Sequence, residues 1–215
     1  MVIFDSLEHN RGVGSQLHSV AESIQKLFAN RETLLLPIDV IYTIPPSLYS
    51  QKIRDIKFLP VVRVINKDNS VCIEGIESMK ELLYARVPKD DLLTILGSEE
   101  VLEEIIKYSG GYPRDLLKMI QESVATKEYP LKQSDVESIF IELENEYRDN
   151  LSTAIDKEIL KKVYETKELN MEAFEEDDLL DKLFRIHVIL RYRNGRQWFS
   201  LNPPTLRVLG IENAS

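Results

Sequence analysis

The stretch Ser109-Gly110-Gly111-Tyr112-Pro113-Arg114-Asp115-Leu116-Leu117 decides how the chain is interpreted. Glycine adopts positive φ angles at little cost, so the Gly110-Gly111 pair predicts a tight turn. Proline favours the first position of a helix, because its missing N–H would have no partner there. The stretch therefore predicts a turn followed by an amphipathic helix that presents Arg114 at its first turn.

The overall composition is typical of a globular protein with one or two domains, with room for a small third module. Of its 215 residues, 43% are hydrophobic and 29% are charged. Cys72 is the only cysteine, which excludes an intramolecular disulfide and fits a reducing compartment. No apolar run approaches the roughly 18 residues that span a bilayer, and no signal peptide is recognisable. We therefore expect a cytoplasmic protein without a membrane partner.

The N-terminal region has the pattern of an α/β domain. Met1 to Phe4 is an apolar run that ends at Asp5, as a buried parallel strand often does. Apolar residues recur at helical spacing from about Gly14 to Asn30, and a second buried strand is predicted in the later half of Thr33 to Ile44. A strand, a covering helix and a second strand predict a parallel pair.

A short β-rich region and then a series of helices follow. Phe58 to Ile65 and Ser70 to Glu74 predict a small hairpin around a polar turn, and the β pattern fades beyond Gly75. Ser134 and Glu137 have the spacing of a capping box, which predicts a helix start. Helical faces are predicted at Met79 to Arg86, Glu99 to Tyr108, Pro113 to Thr126 and Asp135 to Tyr147.

The last third of the chain, residues 151–215, predicts two helices followed by a β-ribbon. The helices carry apolar faces at Ile155 to Val163 and Leu179 to Phe184. Val188 to Tyr192 and Gln197 to Leu201 are the strand-like runs, and the Asn194-Gly195 pair between them predicts a two-residue hairpin turn. Helices followed by a ribbon are typical of a winged helix, whose core we expect to include Trp198.

Four polar residues are candidates for nucleotide chemistry. Asp5 ends the first strand and Glu8 follows three residues later, so these carboxylates are suited to binding Mg²⁺ and orienting a water molecule. Thr43 ends the second strand, and Arg114 carries a guanidinium whose donors fit phosphate oxygens. Simpler roles stay open: a cap for Asp5, a strand end for Thr43, and an ion pair with Asp115 or Glu122 for Arg114.

The order of these elements resembles the C-terminal two-thirds of an AAA+ or related STAND-type P-loop ATPase. The resemblance implies a Walker B strand with Asp5 and Glu8, a γ-phosphate sensor at Thr43 and a second sensor at Arg114. The fold class it implies is α/β: a partial parallel-sheet P-loop ATPase core in residues 1–90, an all-helical lid in 91–150 and a winged-helix domain in 151–215. Asp5 would hold Mg²⁺ only if a phosphate loop were supplied.

The printed sequence departs from this family in one respect. It contains no Gly-x-x-x-x-Gly-Lys-Ser/Thr loop, which supplies most phosphate contacts in P-loop ATPases. We therefore expect ATP and Mg²⁺ to be cofactors of a complete protein and to bind this chain alone only weakly. Hydrolysis by the chain alone is not expected, and the first partner would be the missing ATPase half or an upstream segment.

The C-terminal ribbon carries candidates for nucleic-acid contact, Arg191, Arg193 and Arg196. Against this, residues 151–215 hold ten Lys or Arg and eleven Asp or Glu, and the net charge of the chain is -9. A protein partner for the winged helix is therefore favoured over nucleic acid. The histidines, His9, His18 and His187, lack metal-ligand spacing and receive no assigned role.

Two functions from different classes result. The first is a fragment or subunit of an ATPase that acts as a nucleotide-dependent regulatory switch. The second is an adaptor without enzymatic activity, whose winged helix binds protein or nucleic acid. In either case the sheet would present an unpaired edge, and exposed edges favour pairing, so self-association is expected.

Overall fold

The structure is a computed structural model that divides into two compact units. One unit contains Met1–Phe58 with Phe174–Arg185, and the other contains Leu59–Ala173 with Ile186–Ser215. The domain boundaries predicted after residues 90 and 150 both fall inside the second unit. The described residues are 1–4, 26–27, 37–43, 57, 59–126, 128–151, 157–169 and 182–211.

The first unit contains a parallel pair of short strands. Strand β1 (Val2–Phe4) pairs with β2 (Val40–Tyr42), with Ile3 opposite Ile41. The predicted parallel pair is confirmed, but Ile3 is 56% exposed and the strands are therefore not buried as predicted. Of the helix predicted between Gly14 and Asn30, only residues 26 and 27 are described, and they are helical.

At the coarse level the α/β class is confirmed, since helices and strands are mixed along the chain. The described strands form two sheets of two strands each, so the predicted parallel-sheet core is present only as the β1–β2 pair. The small hairpin predicted between Phe58 and Glu74 is present only in its shortest form, around the predicted polar turn. A single antiparallel bridge joins Ile65 and Val71, and the chain is already helical at Ile73.

Five helices follow one another between residues 73 and 151 of the second unit. The helices predicted from Glu99 to Tyr108 and from Pro113 to Thr126 have almost the observed bounds, because glycine and proline residues lie between them. The first helix of the series begins at Ile73 rather than Met79, and the second follows Pro88, where no helix was predicted. The helices are α1 (Ile73–Tyr84), α2 (Lys89–Leu96), α3 (Glu99–Tyr108), α4 (Pro113–Ala125) and α5 (Gln133–Leu151).

The start of α5 differs from the predicted capping box. The helix begins at Gln133, so Ser134 lies inside its first turn. Asp135 Oδ2 accepts a hydrogen bond of 2.8 Å from the backbone N–H of Lys132, which satisfies one of the donors that a helix start leaves unpaired. Asp135 therefore reaches back to the N-terminus of the helix, in place of the predicted Glu137.

The C-terminal part combines one helix, the predicted ribbon and a final short helix. These elements are α6 (Lys157–Thr166), β3 (Ile189–Asn194), β4 (Arg196–Leu201) and α7 (Pro203–Leu209). The antiparallel ribbon is confirmed, but Asn194 pairs with Arg196, so Gly195 alone lies between them and the two-residue turn is wrong. Of the helix predicted from Leu179 to Phe184, residues 182–184 are described and are helical, and the winged helix stays a prediction.

The ribbon contributes its aromatic face to the core of the second unit. Tyr192 is fully buried and stacks on Trp198, with ring centroids 4.3 Å apart, and both contact Leu190. Trp198 is 4% exposed, which confirms that it is a core residue. Val61 and Tyr112 pack against this cluster, so the ribbon and the residues around α4 share one core.

A buried polar contact ties α3, α5 and α7 together. Glu144 on α5 is buried, and its Oε1 accepts a hydrogen bond of 2.6 Å from the hydroxyl of Tyr108. The same oxygen is 3.1 Å from Arg207 Nε on α7. Because a buried carboxylate is costly unless it is paired, these two partners allow α5 to pack closely against its neighbours. Among the described helices none is long and apolar enough to cross a membrane.

Candidate functional site

The predicted turn between α3 and α4 is present, and its geometry follows from its sequence. Gly110 and Gly111 have φ angles of 59° and 79°, in the left-handed region that favours glycine. Ser109 Oγ donates a hydrogen bond of 2.6 Å to the carbonyl of Ile106 and accepts one of 3.1 Å from Gly111 N–H. Pro113 then occupies the first helical position, as predicted.

A crossing segment makes both glycines of this turn necessary. Val62 N–H donates to the carbonyl of Gly111 at 3.1 Å, and a Cβ placed on Gly111 would lie 1.7 Å from Val62 O. A Cβ on Gly110 would lie 2.5 Å from Leu190 Cδ1 and 2.9 Å from Pro203 Cδ. The turn is therefore packed between the Val61–Val64 segment and the ribbon, with no room for a side chain.

Arg114 lies in the first turn of α4 and is exposed. No carboxylate of the described residues lies within 4.0 Å of its guanidinium nitrogens, so the ion pairs considered with Asp115 and Glu122 are not made. The start of a helix also carries free N–H groups and the positive end of the helix dipole. Arg114 and the helix start together provide a favourable environment for an anion.

Asp115, the next residue, has the opposite environment. It is 7% exposed, and its Oδ2 accepts a hydrogen bond of 2.7 Å from the hydroxyl of Tyr147 on α5. Burial raises the pKa of Asp115 to about 6, although the hydrogen bond from Tyr147 favours the charged form. Asp115 therefore belongs to the contact between α4 and α5 and forms no ion pair within 4.0 Å of Arg114, although the positive charge of Arg114 acts to lower its pKa.

His187 lies beside the turn, although sequence reasoning assigned it no role. Its Nε2 and the Tyr112 hydroxyl are 2.7 Å apart and share a hydrogen bond, and the ring centroids are 3.9 Å apart. Burial, with a smaller contribution from the positive charge of Arg114, lowers the pKa of His187 to about 4. A single histidine 75 residues from its partner leaves no spacing signal in the sequence.

The ribbon arginines separate into two groups. Arg191 is 7% exposed, its Nη2 donates to Gln197 Oε1, and its guanidinium lies 5.9 Å from the centroid of the Phe199 ring. It is therefore part of the ribbon's own packing. Arg193 and Arg196 are exposed on either side of Gly195 at the ribbon tip. Nucleic-acid contact stays a prediction for these two residues.

The remaining predicted site residues belong to the first unit. Asp5 and Glu8 lie outside the described residues. Thr43 follows β2 directly and is half-buried. Their grouping with Arg114 around a nucleotide stays a prediction. Within the described ranges, no cluster of three or more His, Cys, Asp or Glu residues could hold a metal ion.

A second feature of the unit that carries Arg114 is the buried Lys167. It is 4% exposed, and its Nζ donates to Asn69 Oδ1 at 2.7 Å and to Ser200 Oγ at 3.3 Å. The amine also lies 3.9 Å from the centroid of the Tyr164 ring. Burial lowers the pKa of Lys167 to about 8, because these neutral partners compensate the desolvated charge only in part.

A surface cleft of about 580 Å³ lies next to this lysine and does not include Arg114. Its charged lining residues are two lysines and two glutamates, so it offers no single sign of charge to a ligand. The lining residues are Asn69, Lys157, Glu158, Lys161, Tyr164, Glu165, Leu209, Gly210 and Ile211. The turn that carries Arg114 is therefore the better candidate for recognition of an anion.

No protein-family model, curated protein or solved structure matches this chain.

Proposed function

We propose that this chain provides part of the core, the lid and the C-terminal winged helix of an AAA+ or STAND-type ATPase and acts there as a nucleotide-dependent switch. The observation that carries the proposal is the Gly110-Gly111-Tyr112-Pro113-Arg114 turn, which places an exposed arginine at the start of a helix of 13 residues. Arg114 would sense the nucleotide through its phosphate oxygens. A guanidinium suits this role, because it stays charged and presents several donors in a fixed plane.

The cofactors of this switch would be ATP and Mg²⁺. Asp5 is the residue proposed to hold Mg²⁺, Glu8 the one to orient water, and Thr43 the one to contact the γ-phosphate. When bound, Mg²⁺ would neutralise charge that develops on the phosphates. Because the printed sequence has no phosphate loop, the chain alone would bind ATP weakly and would not hydrolyse it. The loop would come from the missing ATPase half or an upstream segment.

Titration of the isotope-labelled chain with Mg·ATP tests this proposal. We expect the backbone signals of Gly111 to Leu116 to shift progressively without saturating at low concentration. Arg114→Ala should abolish the shifts. Arg86→Ala is the matched control, because Arg86 is also exposed but lies beyond the end of α1, where its Nη1 donates to the carbonyl of Leu82. Tight, saturable binding would contradict the requirement for a supplied phosphate loop.

The second candidate function is a non-enzymatic adaptor, favoured by the exposed Arg193 and Arg196 at the ribbon tip. The balanced charge of residues 151–215 favours a protein partner over nucleic acid. Replacing both arginines with Gln and measuring retention on an anionic nucleic-acid matrix separates the two partners. Loss of salt-sensitive retention in the double variant would support nucleic-acid contact. If the wild-type chain is not retained either, a protein partner is favoured.

Self-association through the strand edge is part of the same proposal. Among the described residues β1 pairs only with β2, and Ile3 on β1 is exposed. An isolated pair of strands is marginally stable, so a further strand from a second copy would stabilise it. We expect sedimentation velocity to show association that rises with concentration and is weaker in Ile3→Lys. A monodisperse monomer at high concentration would contradict this expectation.

A further inference from the structure

The ribbon contacts the turn that carries Arg114 through a buried hydrogen bond. Tyr192 on β3 is fully buried, and its hydroxyl donates to the carbonyl of Gly110 at 2.6 Å. Carbonyls just after a helix end have no partner within the helix, and leaving one unpaired in the core is costly. Tyr192 therefore satisfies a backbone group that the turn itself cannot satisfy.

This donor is fixed in place and stays protonated. The Tyr192 ring stacks on Trp198 at an interplanar angle of 18°, and burial raises its pKa above the ordinary tyrosine value. A Cβ at Gly110 would meet Leu190 on the same strand at 2.5 Å, so the ribbon lies directly against the backbone of the turn. The contact is thus both a hydrogen bond and a close steric fit.

A second contact holds the residue just before the helix. Tyr112 is the N-cap of α4, but its side chain makes no capping hydrogen bond. Its hydroxyl shares a hydrogen bond with His187, whose φ of 57° is unusual for a residue other than glycine. Unusual backbone angles of this kind persist only where surrounding contacts enforce them. The residues on either side of Gly111 are therefore both held from the ribbon side.

We propose that Tyr192 and His187 are positioning residues that set the direction in which Arg114 leaves the fold. Arg114 lies two residues after Tyr112 and four after Gly110, so rotation of this backbone would redirect its side chain. The inference rests on the proposed phosphate-sensing role of Arg114. It adds that the C-terminal ribbon controls how well the sensor binds phosphate, although the ribbon itself does not contact the ligand.

Three tyrosine variants test the inference in the isotope-labelled chain. Tyr192→Phe and Tyr112→Phe each remove one hydrogen bond to the turn and keep the ring. Tyr108→Phe is the control, because it also removes a buried hydrogen bond of 2.6 Å, but one that ends on Glu144. Amide hydrogen exchange of Gly111 to Leu116 reports on the turn, and the Arg114 Nε–Hε signal during titration with inorganic tripolyphosphate reports on the sensor.

We expect Tyr192→Phe to accelerate exchange in the turn and to weaken tripolyphosphate binding by roughly fivefold, the equivalent of about one net hydrogen bond. Tyr112→Phe should act in the same direction. Tyr108→Phe should lower thermal stability and leave the affinity unchanged. Equal affinities in wild type and Tyr192→Phe would overturn the positioning role.

The two proposals fail in different ways. If tripolyphosphate does not shift the wild-type Arg114 signal, the sensing function is wrong. Amide hydrogen exchange then tests by itself whether Tyr192 holds the turn. In that case, equal exchange rates of the turn amides in Tyr192→Phe and in the Tyr108→Phe control would overturn the positioning role as well. Faster exchange confined to Gly111 to Leu116 would support it.

Discussion

Arg114 and Lys167 are two cationic side chains of the same unit with opposite surroundings. Arg114 is exposed at a helix start, and no described carboxylate lies within ion-pair distance of it. Lys167 is buried, with its amine held by Asn69, Ser200 and the Tyr164 ring. The donors of Lys167 are directed to groups within the fold, whereas Arg114 makes no hydrogen bond or ion pair to a described residue.

The two cations differ in what holds them in place: side-chain contacts hold Lys167, whereas the backbone conformation of the turn places Arg114. Burying an ammonium among neutral groups costs free energy. The Lys167 contacts therefore lower the stability of the fold, but they fix how α6, β4 and the Asn66–Ser70 turn are arranged. Arg114 is placed by its backbone, which two glycines and a proline shape. A ligand can therefore reach Arg114 without breaking a hydrogen bond or ion pair to any described residue, and Arg114 is the better candidate for function.

The largest expected effect comes from breaking the turn that presents Arg114. Gly111→Ala would place a Cβ 1.7 Å from Val62 O at a φ of 79°. We expect the second unit to lose about 4 kcal/mol of unfolding free energy, as other severe backbone clashes do. Gly195→Ala is the control, because Gly195 has a similar φ of 70° but nothing within 4 Å. Equal losses in chemical denaturation would show that the close approach of Val62 has no energetic consequence.

A smaller effect is expected when the buried cation is removed. The pKa of Lys167 is about 8 in the folded protein and 10.5 in its ordinary state. The unfolded chain therefore binds more protons between these values, and the stability of the wild type should rise with pH across this window. Relative to Lys167→Met, the rise should total about 3 kcal/mol.

Denaturation of both proteins from pH 7.5 to 10.5 measures this difference. Lys162→Met, which removes an exposed lysine of the preceding helix α6, controls for the general effect of losing a positive charge. A difference between wild type and Lys167→Met that stays constant with pH would mean that Lys167 is not buried in its charged form.

The neighbour of Arg114 should have the opposite pH dependence. The pKa of Asp115 is raised to about 6, so the folded protein binds more protons than the unfolded chain between about pH 4 and 6. The wild type should lose about 3 kcal/mol of stability as the pH rises through this window. Asp115→Asn should remove this loss, since an amide oxygen can still accept from Tyr147. Glu122→Gln on the same helix should retain it.

The elements that carry local signals are the ones that the sequence predicts well. Helix α3 and the start of α4 match the prediction at Glu99, Tyr108 and Pro113, because the Gly-Gly-x-Pro pattern fixes where one helix ends and the next begins. The predicted start of helix α1, at Met79, is six residues later than the observed start at Ile73. Its first residue, Ile73, is β-branched, and β-branched residues near a turn favour the interpretation as a strand.

The contacts that define the site have no local signal. Tyr192 and Gly110 are 82 residues apart, and Lys167 and Asn69 are 98 apart. Each joins residues that tertiary packing alone brings together, so spacing in the sequence does not reveal them. The exposure of Arg114 could be predicted from its place in the first turn, but the burial of the adjacent Asp115 depends on Tyr147 of another helix.

The most direct test of the central claim compares ligands with and without phosphate at Arg114. The Arg114 Nε–Hε signal is followed during separate titrations with Mg·ATP, inorganic tripolyphosphate and adenosine. If Arg114 senses phosphate, Mg·ATP and tripolyphosphate will shift the signal, added salt will reduce both shifts, and adenosine will have no effect. An Arg114 signal that is unchanged by all three ligands, or that responds equally to adenosine, would contradict the claim.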